Sequence, residues 1–249
     1  MSVSETDSFL GNYFSEITLL MTSAKDPKKA ALLVAKSMSN EYSHEIFESF
    51  AALQNLHKEI SSILDEFSGR SAFLIKLITI DLLVLSIKFY VIAWSTMLDL
   101  AASLVSKVFN LGISEKDINI DLILRNKHVQ KTEVFTILKS YTKQSDYDLF
   151  RHHRNEIIHR GKIIDDEVVQ LQNERNHLFS KRFSLLNTEP ISDEEFQKEN
   201  EQLTAKIRDL ASSKQTSYKA HYARMAKILS DLMAPLAHKA FELYGGGVR

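Results

Sequence analysis

The apolar positions of this chain recur at three- and four-residue spacing and rarely alternate, so its segments read as amphipathic helices. Phe9, Leu10, Tyr13, Phe14, Ile17, Leu20 and Met21 make one such stripe over residues 7–23. Asp26-Pro27 reads as an N-cap followed by proline at the first helical position. The pattern then runs from Lys28 to Phe67 with a break near Asn40, and Ser68-Gly69 ends it. A long apolar helix is expected over residues 71–110, closed at Asn110-Leu111-Gly112.

Residues 113–128 read as a connector with one short element, and 129–142 as a helix carrying Val134, Ile137 and Leu138. Ser145 with Asp148 resembles a capping box, which starts the next helix at 146, and Gly161 stops it. The segment KIIDDEVVQLQ stays open between a short hairpin and a helix start. Residues 168–187 read as helix, broken by Thr188-Glu189-Pro190. Ser192 with Glu195 is a second capping box. Beyond it Phe196, Leu203, Ile207 and Leu210, then Tyr218, Tyr222, Met225, Leu229, Leu232 and Leu236, form one stripe. Pro235 is expected to kink its end, and Gly245-Gly246-Gly247 to form a frayed tail. The expected fold is all-α: a helical bundle over residues 1–165 and a long charged helical hairpin over 166–249, packed on the bundle or extending from it.

Composition supports helix. Only 7 Gly and 3 Pro occur in 249 residues, few for a β-rich fold with many tight turns. The absence of cysteine excludes disulfides, thiolate zinc sites and cysteine nucleophiles, and fits a reducing compartment. The polar start MSVSETDSF does not read as a secretory signal. Residues 73–100 are strongly apolar, but Lys76, Asp81, Lys88 and Asp99 interrupt them, which favours a helix buried in a bundle over a membrane span. A soluble cytoplasmic protein is the expectation.

A net charge of −1 gives no overall field to gather nucleic acid, so any such affinity needs a local patch. One exists. Arg151-His152-His153-Arg154-Asn155-Glu156-Ile157-Ile158-His159-Arg160-Gly161-Lys162 holds four fixed positive charges, one carboxylate and three histidines. Within it, Arg154-Asn155-Glu156-Ile157-Ile158-His159 resembles the RX4–6H signature of the HEPN superfamily, including the polar residue after the arginine.

The resemblance implies a helical bundle and, for many members, a metal-independent endoribonuclease acting as a toxin or in antiviral defence. Such enzymes are usually homodimers with both motifs in a shared cleft. It further implies His159 as acid or base, Arg154 as phosphate clamp and Asn155 as a residue that positions substrate or orients His159. Histidine's ordinary pKa of ~6.5 suits proton transfer from a 2′-hydroxyl, and arginine's planar fork suits charge building on phosphate oxygens. Arg151, His152, His153, Arg160 and Lys162 are candidates to hold the RNA backbone. No metal and no cofactor are expected; His152, His159, Asp165 and Asp166 match no standard ligand spacing. RNA, a second copy of the chain and an antitoxin or inhibitor protein are the implied partners. Some HEPN proteins carry a tyrosine two residues after the histidine, a site of nucleotidylation, where this chain has Gly161.

Two bland alternatives stand beside these roles. Arg154 equally suits pairing with a buried carboxylate, and His159 suits the negative end of a helix dipole. Residues five apart lie ~140° apart around a helix, so Arg154 and His159 do not share a face, whereas His152, Asn155, Glu156 and His159 do. A dimeric cleft would draw on two chains. The competing function is a non-catalytic helical interaction module that uses the 168–243 hairpin to bind a partner.

Overall fold

The computed structural model describes residues 9–38, 41–66, 79–163, 165–183 and 191–243. Its regular elements are helices, and no strand occurs among the described residues, as the apolar spacing predicts. The helices are α1 (Phe9–Ser23), α2 (Pro27–Met38), α3 (Glu41–Glu66), α4 (Ile80–Val108), α5 (Ile120–Arg125), α6 (Glu133–Thr142), α7 (Ser145–Arg160), α8 (Asp166–Arg182) and α9 (Asp193–Leu243). Among the described residues a 3-10 turn spans Glu115–Asp117.

Local chemistry sets most of these boundaries. The Asp26 carboxylate accepts from the Lys29 N–H at 3.0 Å, so Pro27 opens α2 with its missing donor harmless. α4 ends in a Schellman turn: Asn110 takes φ 48°, the Leu111 N–H returns to the Ser106 carbonyl and the Asn110 N–H to the Lys107 carbonyl, each at 3.0 Å. Ser192 and Glu195 form the reciprocal box at the start of α9, with N–H-to-side-chain distances of 3.2 Å in both directions. α9 then continues through Pro235 to Leu243; the proline removes one backbone donor without ending the helix.

Some boundaries differ from the sequence pattern. α6 begins at Glu133 and not 129, because Thr132 is extended (φ −121°, ψ 162°) and the chain before it is a series of turns. Val129 is fully buried within those turns. α7 begins at Ser145, one residue before the expected 146. The open segment after Gly161 resolves as a helix start, with the Asp165 carboxylate accepting from the Val168 N–H at 3.3 Å. The expected breaks at Asn40, Ser68-Gly69 and Thr188-Glu189-Pro190, the Gly245–Gly247 tail and the 71–78 start of the long apolar helix lie outside the described residues.

The chain forms two compact units, and each takes part of α3, α4, α7 and α9. The first comprises residues 1–59, 94–148 and 222–249. Its core gathers Tyr13, Ile17, Val34, Ile46, Phe50, Leu53, Met97, Val105, Leu229 and Leu236. Two buried aromatic polar groups find partners there. The Trp94 indole N–H donates to the Tyr141 hydroxyl at 2.5 Å, and the Tyr222 hydroxyl donates to the His57 carbonyl at 2.9 Å.

The second unit comprises residues 60–93 and 149–221. Its apolar core is Ile60, Leu64, Leu83, Ile87, Val91, Ile157, Val168, Leu171, Leu178, Leu203, Ile207 and Ala211. An aromatic stack joins its helices: Tyr90 lies on Tyr218 at 4.4 Å and Phe150 on His221 at 4.1 Å, while the Tyr90 hydroxyl meets His221 Nδ1 at 3.0 Å. Among the described helices, α4 alone has the length and apolarity of a membrane span, and 44% of its most apolar stretch is buried in the protein. Asp81 and Asp99 sit on its exposed edge.

Candidate functional site

α7 carries the RX4H motif on a helix whose inner stripe is Tyr147, Phe150 and Ile157. Arg154 lies four residues after Phe150 and three before Ile157, so it belongs to that same stripe. Its side chain is half-buried. Nε is buried and has no hydrogen-bond partner, while Nη1 donates to the Asn155 side-chain oxygen at a long 3.4 Å. Arg154 makes no ion pair among the described residues, so the alternative of a buried carboxylate partner is not met. A buried donor without a partner costs about 1–3 kcal/mol, a poor reason to keep an arginine for stability alone.

His159 is exposed on the last turn of α7, and its ring makes no hydrogen bond among the described residues. One chain does not bring the two motif side chains together. They are separated by five residues, ~140° of rotation and ~7.5 Å of helix rise. His152 and Asn155 share the outer face with His159 and are exposed; Glu156, beside them, is half-buried and takes Arg160 at 3.2 Å. Arg151 and Lys162 are exposed as well.

Gly161 ends the motif helix at φ 65°, where an L side chain is strained. Its N–H returns to the Ile157 carbonyl at 3.0 Å, and the Lys162 N–H reaches the Glu156 carbonyl at 3.3 Å. The Gly161 carbonyl accepts from the Lys88 ammonium of α4 at 2.7 Å. This cross-link is not visible in the sequence, although a lysine amid apolar residues of a long helix is a signal.

His153 departs from the rest of the basic rim. It is half-buried, its ring 6.4 Å from Phe150, and burial first of all holds its pKa below the ordinary histidine value. The charge of Asp165 opposes this, and His152 and Lys214 reinforce it. Asp165 is buried and is held by the Lys214 ammonium at 2.6 Å, which also reaches Glu167 at 2.9 Å. Burial would lower the Lys214 pKa; the bonds to Asp165 and Glu167 outweigh it and raise it. Burial, and then Asp165, push the Tyr218 hydroxyl far above its usual range. Asp165 is therefore the capping and charge-pairing centre beneath the motif helix. Among the described residues no three His, Asp or Glu side chains are grouped as metal ligands would be.

A family model, HEPN_Cthe2314-like HEPN, matches residues 35–221. The chain belongs to the HEPN superfamily. The matched span of this HEPN protein contains the whole second unit, and with it the motif helix, Lys88, Asp165 and Lys214. Searches of curated proteins and of solved structures found no match.

Proposed function

We propose that this HEPN protein is a metal-independent endoribonuclease. His159 is its acid or base, Arg154 clamps the phosphate, and Asn155 positions one or the other. The observation that carries this reading is the state of Arg154, a guanidinium held at the motif with a buried unpaired Nε and, among the described residues, no carboxylate to neutralise it. Exposed His159 and the rim of Arg151, His152, Arg160 and Lys162 supply a proton-transfer group and backbone contacts around it. The reaction needs no external nucleophile: the 2′-hydroxyl loses its proton, its oxygen attacks the adjacent phosphorus, and the 5′-oxygen leaves with a proton. The product ends are a 2′,3′-cyclic phosphate and a 5′-hydroxyl.

Because Arg154 and His159 point apart, the active species is a homodimer that pairs the arginine of one chain with the histidine of the other. Four exposed apolar residues of α4, Leu82, Leu85, Phe89 and Ile92, lie on one helical stripe in the motif's unit and support such a partner. A toxin or antiviral-defence role in the cytoplasm, held in check by an inhibitor protein, is the biological setting proposed.

The test is cleavage of a mixed RNA pool in EDTA by wild type, His159→Ala, Arg154→Ala and an equimolar mixture of the two variants. Wild-type cleavage leaving cyclic phosphate ends and silent single variants are expected. A composite site restores activity in the mixture, since about half the dimers then hold one intact arginine–histidine pair. A silent mixture overturns the two-chain site, and silence of folded wild type overturns the ribonuclease. That last outcome favours the second reading, a partner-binding module. Its supporting observation is Phe179 on α8 and Phe183 at the cap that follows it, 39% and 64% exposed.

A further inference from the structure

Lys88 is a half-buried cation in an apolar helix, three residues after exposed Leu85. Side chains of this kind are costly to pack, and the ordinary remedy is a carboxylate partner. Lys88 has none among the described residues. Its ammonium spends one hydrogen on the Gly161 carbonyl at 2.7 Å, which leaves two donors without a protein acceptor there.

The place where it does so matters. The C-terminal end of α7 carries the negative pole of the helix and would repel a phosphate. Yet His159, Arg160 and Lys162 are exposed at that end. Arg160 is half committed to Glu156 at 3.2 Å, so among the described residues the unneutralised fixed charges at the helix end are Lys88 and Lys162. A cation fixed on the capping carbonyl offsets the helix pole and keeps two donors unspent on protein acceptors among the described residues.

We infer that Lys88 is a phosphate-binding residue of this site, delivered from α4 to hold the RNA backbone beside His159 together with Lys162. The inference rests on the ribonuclease reading and deepens it, because it places a substrate contact outside the motif helix. The ligand it recognises is the sugar–phosphate backbone, so its contribution is independent of base sequence.

The test measures binding of a short fluorescein-labelled oligouridylate to full-length protein by anisotropy, between ~50 and ~200 mM salt. All proteins carry His159→Ala so that the RNA survives. Lys88→Gln keeps a hydrogen-bond donor for Gly161 but removes the charge; Lys88→Arg keeps the charge. The expected result for Lys88→Gln is several-fold weaker binding and a log–log salt slope lower by about 1, with Lys88→Arg retaining the parent slope. A residue that merely caps α7 changes the melting temperature and leaves the slope alone. An unchanged slope in Lys88→Gln therefore overturns the inference while leaving the ribonuclease reading intact. Absence of RNA binding by the folded parent at every salt concentration overturns both. If Lys88→Gln does not fold, loss of the parent slope in folded Lys88→Arg also counts against it.

Discussion

Along α7 the side chains at positions 150, 153, 154 and 157 are buried or half-buried, whereas those at 151, 152, 155 and 159 are exposed. The inner set is anchored by rings and charges: Phe150 on His221, and His153 in the field of Asp165 and Lys214. In the outer set the His159 ring makes no hydrogen bond among the described residues. The RX4H spacing puts its arginine in the first set and its histidine in the second. The two residues are therefore under different physical constraints, and substitutions separate a group kept for chemistry from one kept for packing.

The largest expected effect is on the outer face. His159→Ala lowers RNA cleavage by about 10²–10⁴-fold, the usual contribution of a positioned acid or base. Its melting temperature stays within about one degree of wild type, because the ring is exposed and unbonded. A rate within twofold of wild type, measured on the same RNA pool, removes His159 from the mechanism.

The inner face gives a contrasting pair of numbers. Arg154→Met removes a buried donor without a partner, so stability in urea is expected to hold or rise by about 1 kcal/mol. Cleavage falls by about 10²-fold or more, and Arg154→Lys does not restore it, since an ammonium lacks the planar fork. A loss of several kcal/mol in Arg154→Met would instead mark the arginine as structural. It would move the protein toward the binding-module reading.

How much of this contrast the sequence shows depends on the range of the interaction. The stripe of α1, the Asp26-Pro27 start, the Ser192–Glu195 box and the Gly161 stop each rest on residues within four positions, and all are legible. The opposed faces of Arg154 and His159 also follow from helical geometry alone. The anchors do not. Lys88 meets Gly161 across 73 positions, and Lys214 meets Asp165 from a different helix. Periodicity carries no information about which helix end a distant lysine reaches. It likewise left His153 grouped with the exposed rim, because an i, i+1 histidine pair gives no sign of which ring turns inward.

The anchor itself is tested next. Asp165→Ala removes the α8 cap and one of the two carboxylates on Lys214, and about 2 kcal/mol of stability is expected to go with them. The loss is read from urea denaturation at neutral pH. Asp165→Asn, which can still cap, is expected to lose less. Equal losses in the two variants would show that the charge pair, and not the cap, holds α8 beneath the motif.

The smallest effect is a pH dependence confined to the inner face. His153 has a folded-state pKa below its unfolded value, chiefly through burial, so the folded protein binds this proton less readily than the unfolded chain. Its neutral form is therefore stabilising above the ordinary histidine pKa of ~6.5, and that contribution is lost as pH falls below it toward the lowered folded value. His153→Gln keeps a polar side chain of similar reach and removes the titration. Between pH 7.5 and 5.5 wild type is expected to lose more stability than His153→Gln, and His152→Gln on the exposed side is expected to follow wild type. If all three lose stability in parallel, the proton is taken up elsewhere and the two histidines are equivalent. The inner and outer faces of α7 would then differ at Arg154 and His159 but not at the pair that precedes them.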